Sequence, residues 1–200
     1  MASMNEQIVR DYFESLGFFV IQPVKYQVAA RKKTAAEEID LLISRPSCED
    51  DRLPDPGVWG IEELKSIGKA IVSVRGWHTD RFSPAVLDKS PELFRFADGD
   101  VLKKAGIHLG PGPAARILCL SDLPASKTLQ KQAMETLVAR GVNGVVLFRD
   151  ILAELVAGID VKNNYEKSDV LQMLRILKNY DLLRDSQMEL FVRRKRETKS

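Results

Sequence analysis

Cysteine is scarce in this sequence, which holds two in 200 residues, Cys48 and Cys119. They lie far apart and belong to no CxxC-type cluster. This pattern supports neither a disulfide framework nor a structural zinc site. We therefore expect two reduced thiols, with Cys119 in a core strand and Cys48 in a loop.

Long hydrophobic runs are also missing. No apolar stretch approaches the roughly 18 residues that a membrane-spanning helix needs. The N-terminal segment MASMNEQIVRDYF lacks the apolar core of a secretory signal peptide. These two absences predict a cytoplasmic protein.

An excess of charge of one sign is absent as well. The formal net charge is +2, of which the last eight residues, RRKRETKS, contribute +4, so that the rest of the chain sums to −2. A generally basic surface for nucleic acid is therefore not indicated. Two local runs of cations suit phosphate contacts, namely Arg31, Lys32 and Lys33 in ARKKT and residues 193–196 in RRKR. Solvated surface charge explains these runs equally well.

Two motifs that would identify common enzyme classes are missing. No glycine-rich phosphate loop follows a predicted strand, since LGPGPAA precedes a strand and carries prolines. The GxSxG pattern of a serine nucleophile does not occur in the sequence. Nucleotide-binding folds and serine hydrolases therefore lose support.

The first half of the chain shows apolar patterns typical of one helix and three strands. A helix is predicted over residues 5–16, with Asn5 as its N-cap and Gly17 as its stop. Strands are predicted in FFVIQPVKYQ, AEEIDLLISRP and AIVSVRG. The acidic, proline-rich residues 47–60 are expected to form a surface excursion, and IEELKSIG a short helix.

The second half has the pattern of buried strands separated by helices. The apolar strands ARILCLSDLP and GVVLF flank the amphipathic helix KTLQKQAMETLVARGV, which predicts a parallel pair. Further helices are predicted in ELFRFADGDVLKKAG, RDILAELVAGI and SDVLQMLRILKNYDLL. We expect an α/β domain with a mixed sheet over residues 1–160, and C-terminal helices with a basic tail packed on it over residues 161–200.

The order of these elements, with the strands EEIDLLIS and KAIVSVRG, resembles the restriction-endonuclease-like, or PD-(D/E)XK, nuclease superfamily. The resemblance is to its Mrr-like and Holliday-junction-resolvase-like branches, and it covers residues 5 to 150. Members begin with a helix that bears a Glu and continue with a hairpin whose second strand carries an Asp. The next strand carries (Asp/Glu)-x-Lys. The resemblance implies a three-layer fold, with a central mixed sheet flanked by helices.

The resemblance also implies which residues would form the site. Glu6 matches the acid of the first helix, Asp40 the strand Asp, and Ser73 and Arg75 the acid and the lysine of the next strand. Such sites need carboxylates that converge on Mg²⁺, which activates a bound water. Ser73 cannot supply the missing charge. Arg75 cannot act as a general base, because a guanidinium is not deprotonated in proteins, but it retains a cation for a phosphate.

Two other sets of residues could restore a metal site. Glu38 lies two positions before Asp40, so a strand would place both carboxylates on one face. Glu63 and Lys65 form a literal Glu-x-Lys in EELK, which would complete the motif if IEELKSIG were the catalytic strand.

Purely structural interpretations remain open beside these. Asp40 suits the solvent side of an amphipathic strand, and Glu6 is favoured in a first helical turn by the helix dipole. Ser73 and Arg75 alternate with valines, as in a half-exposed strand. Trp77 could stack on a nucleic-acid base or pack over the end of the sheet.

The sequence leaves three functions open. The motif favours a nuclease-fold DNA-binding protein with weakened or lost metal-dependent phosphodiesterase activity, in a prokaryotic defence, repair or recombination setting that the resemblance implies. The first alternative is an active Mg²⁺-dependent endonuclease that uses Asp40 with Glu38, or with Glu63 and Lys65. The second is a non-catalytic interaction module that forms a homodimer through the apolar face of DVLQMLRILKNYDLL.

Overall fold

The structure is a computed structural model that describes residues 3–23, 39–46, 53–78 and 81–183. It divides into two units, Met1–Ile151 and Leu152–Ser200. Several predicted features lie outside the described residues: Arg31, Lys32, Lys33, Glu38, Cys48 and the basic run at 193–196. The predicted division at residue 160 stays a prediction.

A six-stranded mixed sheet organises the larger unit, which confirms the predicted α/β class. Its strands run in the order β1-β2-β4-β5-β6-β3. The β1–β2 and β2–β4 pairs are antiparallel, whereas β4–β5, β5–β6 and β3–β6 are parallel. The strands are β1 Phe19–Ile21, β2 Leu41–Ser44, β3 Gly57–Val58, β4 Lys69–Arg75, β5 Ala115–Leu120 and β6 Gly144–Leu147.

The described residues also form helices, which precede, separate or follow these strands along the chain. They are α1 Met4–Ser15, α2 Ile61–Ser66, α3 Pro84–Lys89, a 3-10 helix Pro91–Ala97, α4 Gly99–Leu109, α5 Lys127–Ala139, α6 Phe148–Gly158 and α7 Asp169–Asn179. Helix α5 links β5 to the parallel strand β6, as predicted. None of the helices in the described part of the chain is long and apolar enough to cross a membrane.

Apolar residues are buried on both faces of the sheet. On one face, Leu42, Ile71 and Leu118 belong to a cluster with side chains of α3, the 3-10 helix, α4 and α5. Successive residues of a strand point to opposite faces, so Leu41 and Val72 are buried on the other face. Gly144 lies there too, where an added Cβ would overlap the ring of the buried Trp59.

The central strand β4 differs from the prediction of a half-exposed strand. Its residues between Lys69 and Arg75 are all buried, and Ser73 is fully buried. The alternation of Ser73 and Arg75 with valines therefore does not mark a solvent face. A strand inside a sheet that is covered on both sides needs no such alternation.

Two element boundaries and one short strand also differ from the predictions. Helix α1 is capped by Ser3, whose hydroxyl accepts from the Glu6 amide at 3.2 Å, and not by Asn5. The predicted helix over residues 92–106 divides at Asp98, whose backbone is extended. The excursion at 47–60 contains β3, which is too short to give a periodic signal.

Candidate functional site

Asp40 lies immediately before β2, beside the carboxyl end of β4. The antiparallel register pairs Leu41 with Val72, which brings Asp40 next to Ser73. Asp40 is only 4% exposed. The interpretation of Asp40 as a solvent-facing strand residue is therefore wrong, because the strands beside it are covered on both faces of the sheet.

The Asp40 carboxylate is held by three donors from β4. Its Oδ2 accepts from the Val74 amide at 2.7 Å, from Arg75 Nη1 at 2.9 Å and from Ser73 Oγ at 3.2 Å. The Arg75 side chain is 19% exposed, so this is a largely buried ion pair. We call Asp40, Ser73, Val74 and Arg75 the Asp40 cluster.

The first turn of α1 packs against the end of β4, next to the Asp40 cluster. Asn5 Nδ2 donates to the Gly76 carbonyl at 3.4 Å, and Asn5 Oδ1 lies 2.9 Å from His78 Nε2. An added Cβ on Gly76 would overlap the Asn5 amide group. The His78 ring meets Phe148 edge to face, with 4.9 Å between the ring centroids. Asn5 and His78 were not among the predicted site residues, because contact between residues so far apart in sequence leaves no local signal.

Glu6, the predicted helix acid, lies in the same turn of α1. Its Oε2 accepts from Gln22 Nε2 at 2.8 Å. The helix dipole alone therefore does not account for Glu6, since the carboxylate also ties α1 to the chain just after β1.

Trp77 follows β4 directly and is 39% exposed. Its indole stacks on the buried ring of Phe82, with 5.4 Å between centroids and 17° between the planes. Ser121 Oγ donates to the Trp77 carbonyl at 2.9 Å. The ring therefore packs at the end of the sheet and also keeps part of its surface in solvent.

The structure does not bring Glu63 and Lys65 to Asp40. Both lie on α2, where Glu63 caps the helix by accepting from the Gly60 amide at 2.9 Å. Arg45 Nη1 donates to the Lys65 carbonyl at 3.0 Å, and Arg45 is separated from Asp40 by the length of β2, about 17 Å along an extended strand. The alternative in which IEELKSIG is the catalytic strand is therefore wrong. This segment forms α2, and Arg75, not Lys65, lies beside Asp40.

A metal site at Asp40 depends on a residue that is not described. Among residues 3–23, 39–46, 53–78 and 81–183, no group of three or more His, Cys, Asp or Glu side chains could hold a metal ion. Glu38, the predicted partner of Asp40, lies outside those ranges. The prediction of Mg²⁺ bound by Asp40 and Glu38 stays a prediction.

Cys119 is buried in β5, as the sequence predicted. Burial raises the pKa of its thiol well above the ordinary range, and the negative charge of Asp40 raises it further. No pattern in the sequence connects Cys119 with Asp40. The connection follows from the strand register, which pairs Cys119 with Val74 of the Asp40 cluster.

No protein-family model, curated protein or solved structure matches this chain. The resemblance to the PD-(D/E)XK superfamily therefore stays a prediction, which rests on the order of elements and on the positions of Glu6, Asp40, Ser73 and Arg75.

Proposed function

We propose that this protein is a nuclease-fold DNA-binding protein that has lost metal-dependent phosphodiester cleavage. The observation that carries the proposal is the contact between Arg75 Nη1 and Asp40 Oδ2 at 2.9 Å. In an active site of this kind the Asp carboxylate binds Mg²⁺. Here the Arg75 guanidinium binds a carboxylate oxygen of Asp40 and neutralises the charge of that carboxylate.

The topology supports the nuclease relationship. The chain runs through a helix, two antiparallel strands, a third antiparallel strand at β4, and then a parallel strand reached through helices. This is the order that the resemblance implies. Asp40 and Arg75 also meet in space, as the strand Asp and the lysine-position residue of the motif should.

The charges of the Asp40 cluster oppose cation binding. Ser73 stands at the acid position, is fully buried and donates its hydroxyl to Asp40. One carboxylate and one guanidinium leave no net negative charge for a divalent cation. A nearby fixed positive charge raises the free energy of a bound Mg²⁺ further. Loss of metal binding removes the activated water, which is the main source of rate in this chemistry.

The proposed DNA contacts depend on cations near β4. A guanidinium has five N–H donors, and Arg75 Nη1 is the group that contacts Asp40 and the Val74 carbonyl. The Arg75 side chain is 19% exposed, and we propose that its remaining donors contact a phosphate. The predicted contacts of Arg31, Lys32 and Lys33 would add affinity without sequence preference.

Two assays on the full chain test the proposal. Fluorescence anisotropy with labelled DNA is expected to show binding that weakens steeply between about 50 and about 200 mM salt, because binding releases counterions. Supercoiled plasmid is expected to stay intact with Mg²⁺ or Mn²⁺. Cleavage by the wild type that disappears in Asp40→Ala would show an active nuclease instead, and absence of binding at low salt would refute DNA binding.

Restoration of the motif gives a sharper test. The double variant Ser73→Glu/Arg75→Lys replaces the neutral hydroxyl with a carboxylate and the guanidinium with the lysine of the motif. We expect Mg²⁺ to raise the melting temperature of this variant but not that of the wild type. The matched control, Ser73→Gln/Arg75→Lys, has the same size without the charge and should not respond to Mg²⁺.

The smaller unit favours a second candidate function, self-association. Helix α7 has no buried residue, and Met173 and Ile176 on it are exposed. An apolar stripe of this kind is typical of a helix that packs against a partner. Sedimentation equilibrium should then show a dimer that dissociates in Met173→Glu/Ile176→Glu. A monomeric wild type would refute this candidate.

A further inference from the structure

Trp77 is an exposed aromatic ring held at one end of the central strand. The γ-turn from Gly76 to His78 closes with a bond from the His78 amide to the Gly76 carbonyl at 3.0 Å. Trp77 is the middle residue of this turn, and its carbonyl accepts from Ser121. Asn5 holds the residues on either side of it, Gly76 and His78. The backbone that carries the indole is therefore fixed by several independent contacts.

The indole itself is supported from one side. Phe82 lies under it in a stacked arrangement and is fully buried. Trp77 is 39% exposed, so part of the indole remains accessible to solvent. An aromatic ring that is held in place and partly exposed can stack a flat group with little loss of conformational entropy.

Two arginines lie close to Trp77 in the sequence. Arg75 precedes Trp77 by two residues, about 7 Å along the chain. Arg81, next to Phe82, has a side chain that is 59% exposed and lies 3.7 Å from Asp122. An ion pair this long and this exposed contributes little to stability. Arg81 can therefore exchange Asp122 for another anion at a small cost in free energy.

We infer that this site takes an unpaired nucleotide of single-stranded DNA, whose base stacks on Trp77 while Arg75 and Arg81 contact the adjoining phosphates. The inference rests on the proposed function and specifies its substrate class. In a DNA duplex both faces of each base are covered by neighbouring bases. Only a base outside a duplex can therefore stack on the indole of Trp77. Phe82 acts as a positioning residue that keeps the indole in place.

Tryptophan fluorescence reports on this site directly. The chain has two tryptophans. Trp59 is buried, with its indole N–H bound to the Asp55 carbonyl at 3.0 Å. Addition of an oligothymidylate to the full chain should therefore quench the emission of Trp77, and the quenching should disappear in Trp77→Phe. A blunt duplex of the same strand length should quench weakly.

Affinity supplies the second measurement. Trp77→Ala should weaken binding of the oligothymidylate by about 5- to 150-fold, the range for loss of one stacked base. The control is Phe19→Ala, because Phe19 is also an exposed aromatic but lies at the other end of the sheet, level with Ser44 and Lys69. It should leave the affinity unchanged. Unchanged melting temperatures and unchanged Trp59 emission would show that the variants are folded.

The outcomes separate this inference from the proposed function. Preferential binding of the single strand, with quenching and affinity that depend on Trp77, supports both. Duplex binding that is as tight as single-strand binding and insensitive to Trp77→Ala overturns the inference and leaves the proposed function standing. Failure of both DNA forms to bind at low salt overturns the two together.

Discussion

Asp40 and Arg75 form an ion pair whose two members are each largely buried. A buried charge is tolerated only when an opposite charge and hydrogen bonds replace its lost hydration. Ser73 Oγ and the Val74 amide supply further hydrogen bonds to the carboxylate. Removal of either charge therefore affects the stability of the fold as well as any function of the site.

Asp40→Asn is expected to lower the free energy of unfolding by about 2–4 kcal/mol, since it leaves Arg75 buried without its counter-charge. Urea denaturation measures this change. The double variant Asp40→Asn/Arg75→Met removes both charges and should recover part of the loss, because the coupling between contacting residues is not additive. A loss below about 0.5 kcal/mol in the single variant would show that the pair behaves like an exposed one.

Cys119 provides a second prediction for a single residue. Because burial raises the pKa of its thiol, Cys119 stays protonated at pH 9, where an ordinary thiol is more than half ionised. In Cys48→Ala, labelling of Cys119 by a thiol reagent should therefore proceed only as fast as the protein opens. Rapid labelling of the native protein would contradict this expectation.

The same pKa shift has a consequence for stability. The unfolded chain releases the Cys119 proton above about pH 8.5, whereas the folded chain does not. The contribution of the Cys119 thiol to the free energy of unfolding is therefore fully present below about pH 8.5 and decreases as the pH rises above that value. Cys119→Ala should weaken this pH dependence, which urea denaturation at several pH values measures.

At the scale of elements, the junction between α1 and β4 depends on a glycine. Asn5 occupies the space that a Cβ on Gly76 would need. Gly76→Ala is therefore expected to push α1 away from β4 and to lower the free energy of unfolding by about 1–3 kcal/mol, as overpacking generally does. Urea denaturation measures the loss, and Asn5→Ala/Gly76→Ala should recover part of it.

Gly106 is the matched control for Gly76. It lies within α4, and an added Cβ would meet nothing within 4 Å. Gly106→Ala should raise the free energy of unfolding by about 0.5–1 kcal/mol, because alanine loses less backbone entropy in a helix. Equal losses in the two variants would argue against a specific contact at Gly76.

At the scale of the whole molecule, the two units differ in how well their elements are buried. Strands β4 and β5 are almost wholly buried, whereas α7 has no buried residue. Elements with few buried contacts open locally at a low free energy. We therefore expect amides of α7 to exchange with deuterium well before those of β4 and β5. Equal protection of these elements would contradict this expectation.

The sequence by itself determined most of the elements and the class of fold. Apolar periodicity located α1, α5, α7 and the strands β1, β2, β4, β5 and β6, because burial of one helix face or of a strand leaves a local pattern. It also placed Cys119 in a core strand. It missed β3 and misread Asp40 and Ser73 as half-exposed, since a local pattern does not report what covers a strand.

Only the tertiary structure decided which side chains meet. The antiparallel register of β2 and β4 brings Asp40 to Arg75, and the docking of α1 brings Asn5 to Gly76 and His78. These contacts span 35 to 73 positions of the chain, and no local propensity encodes them. They arise because strand pairing and core packing are satisfied together over the whole sheet.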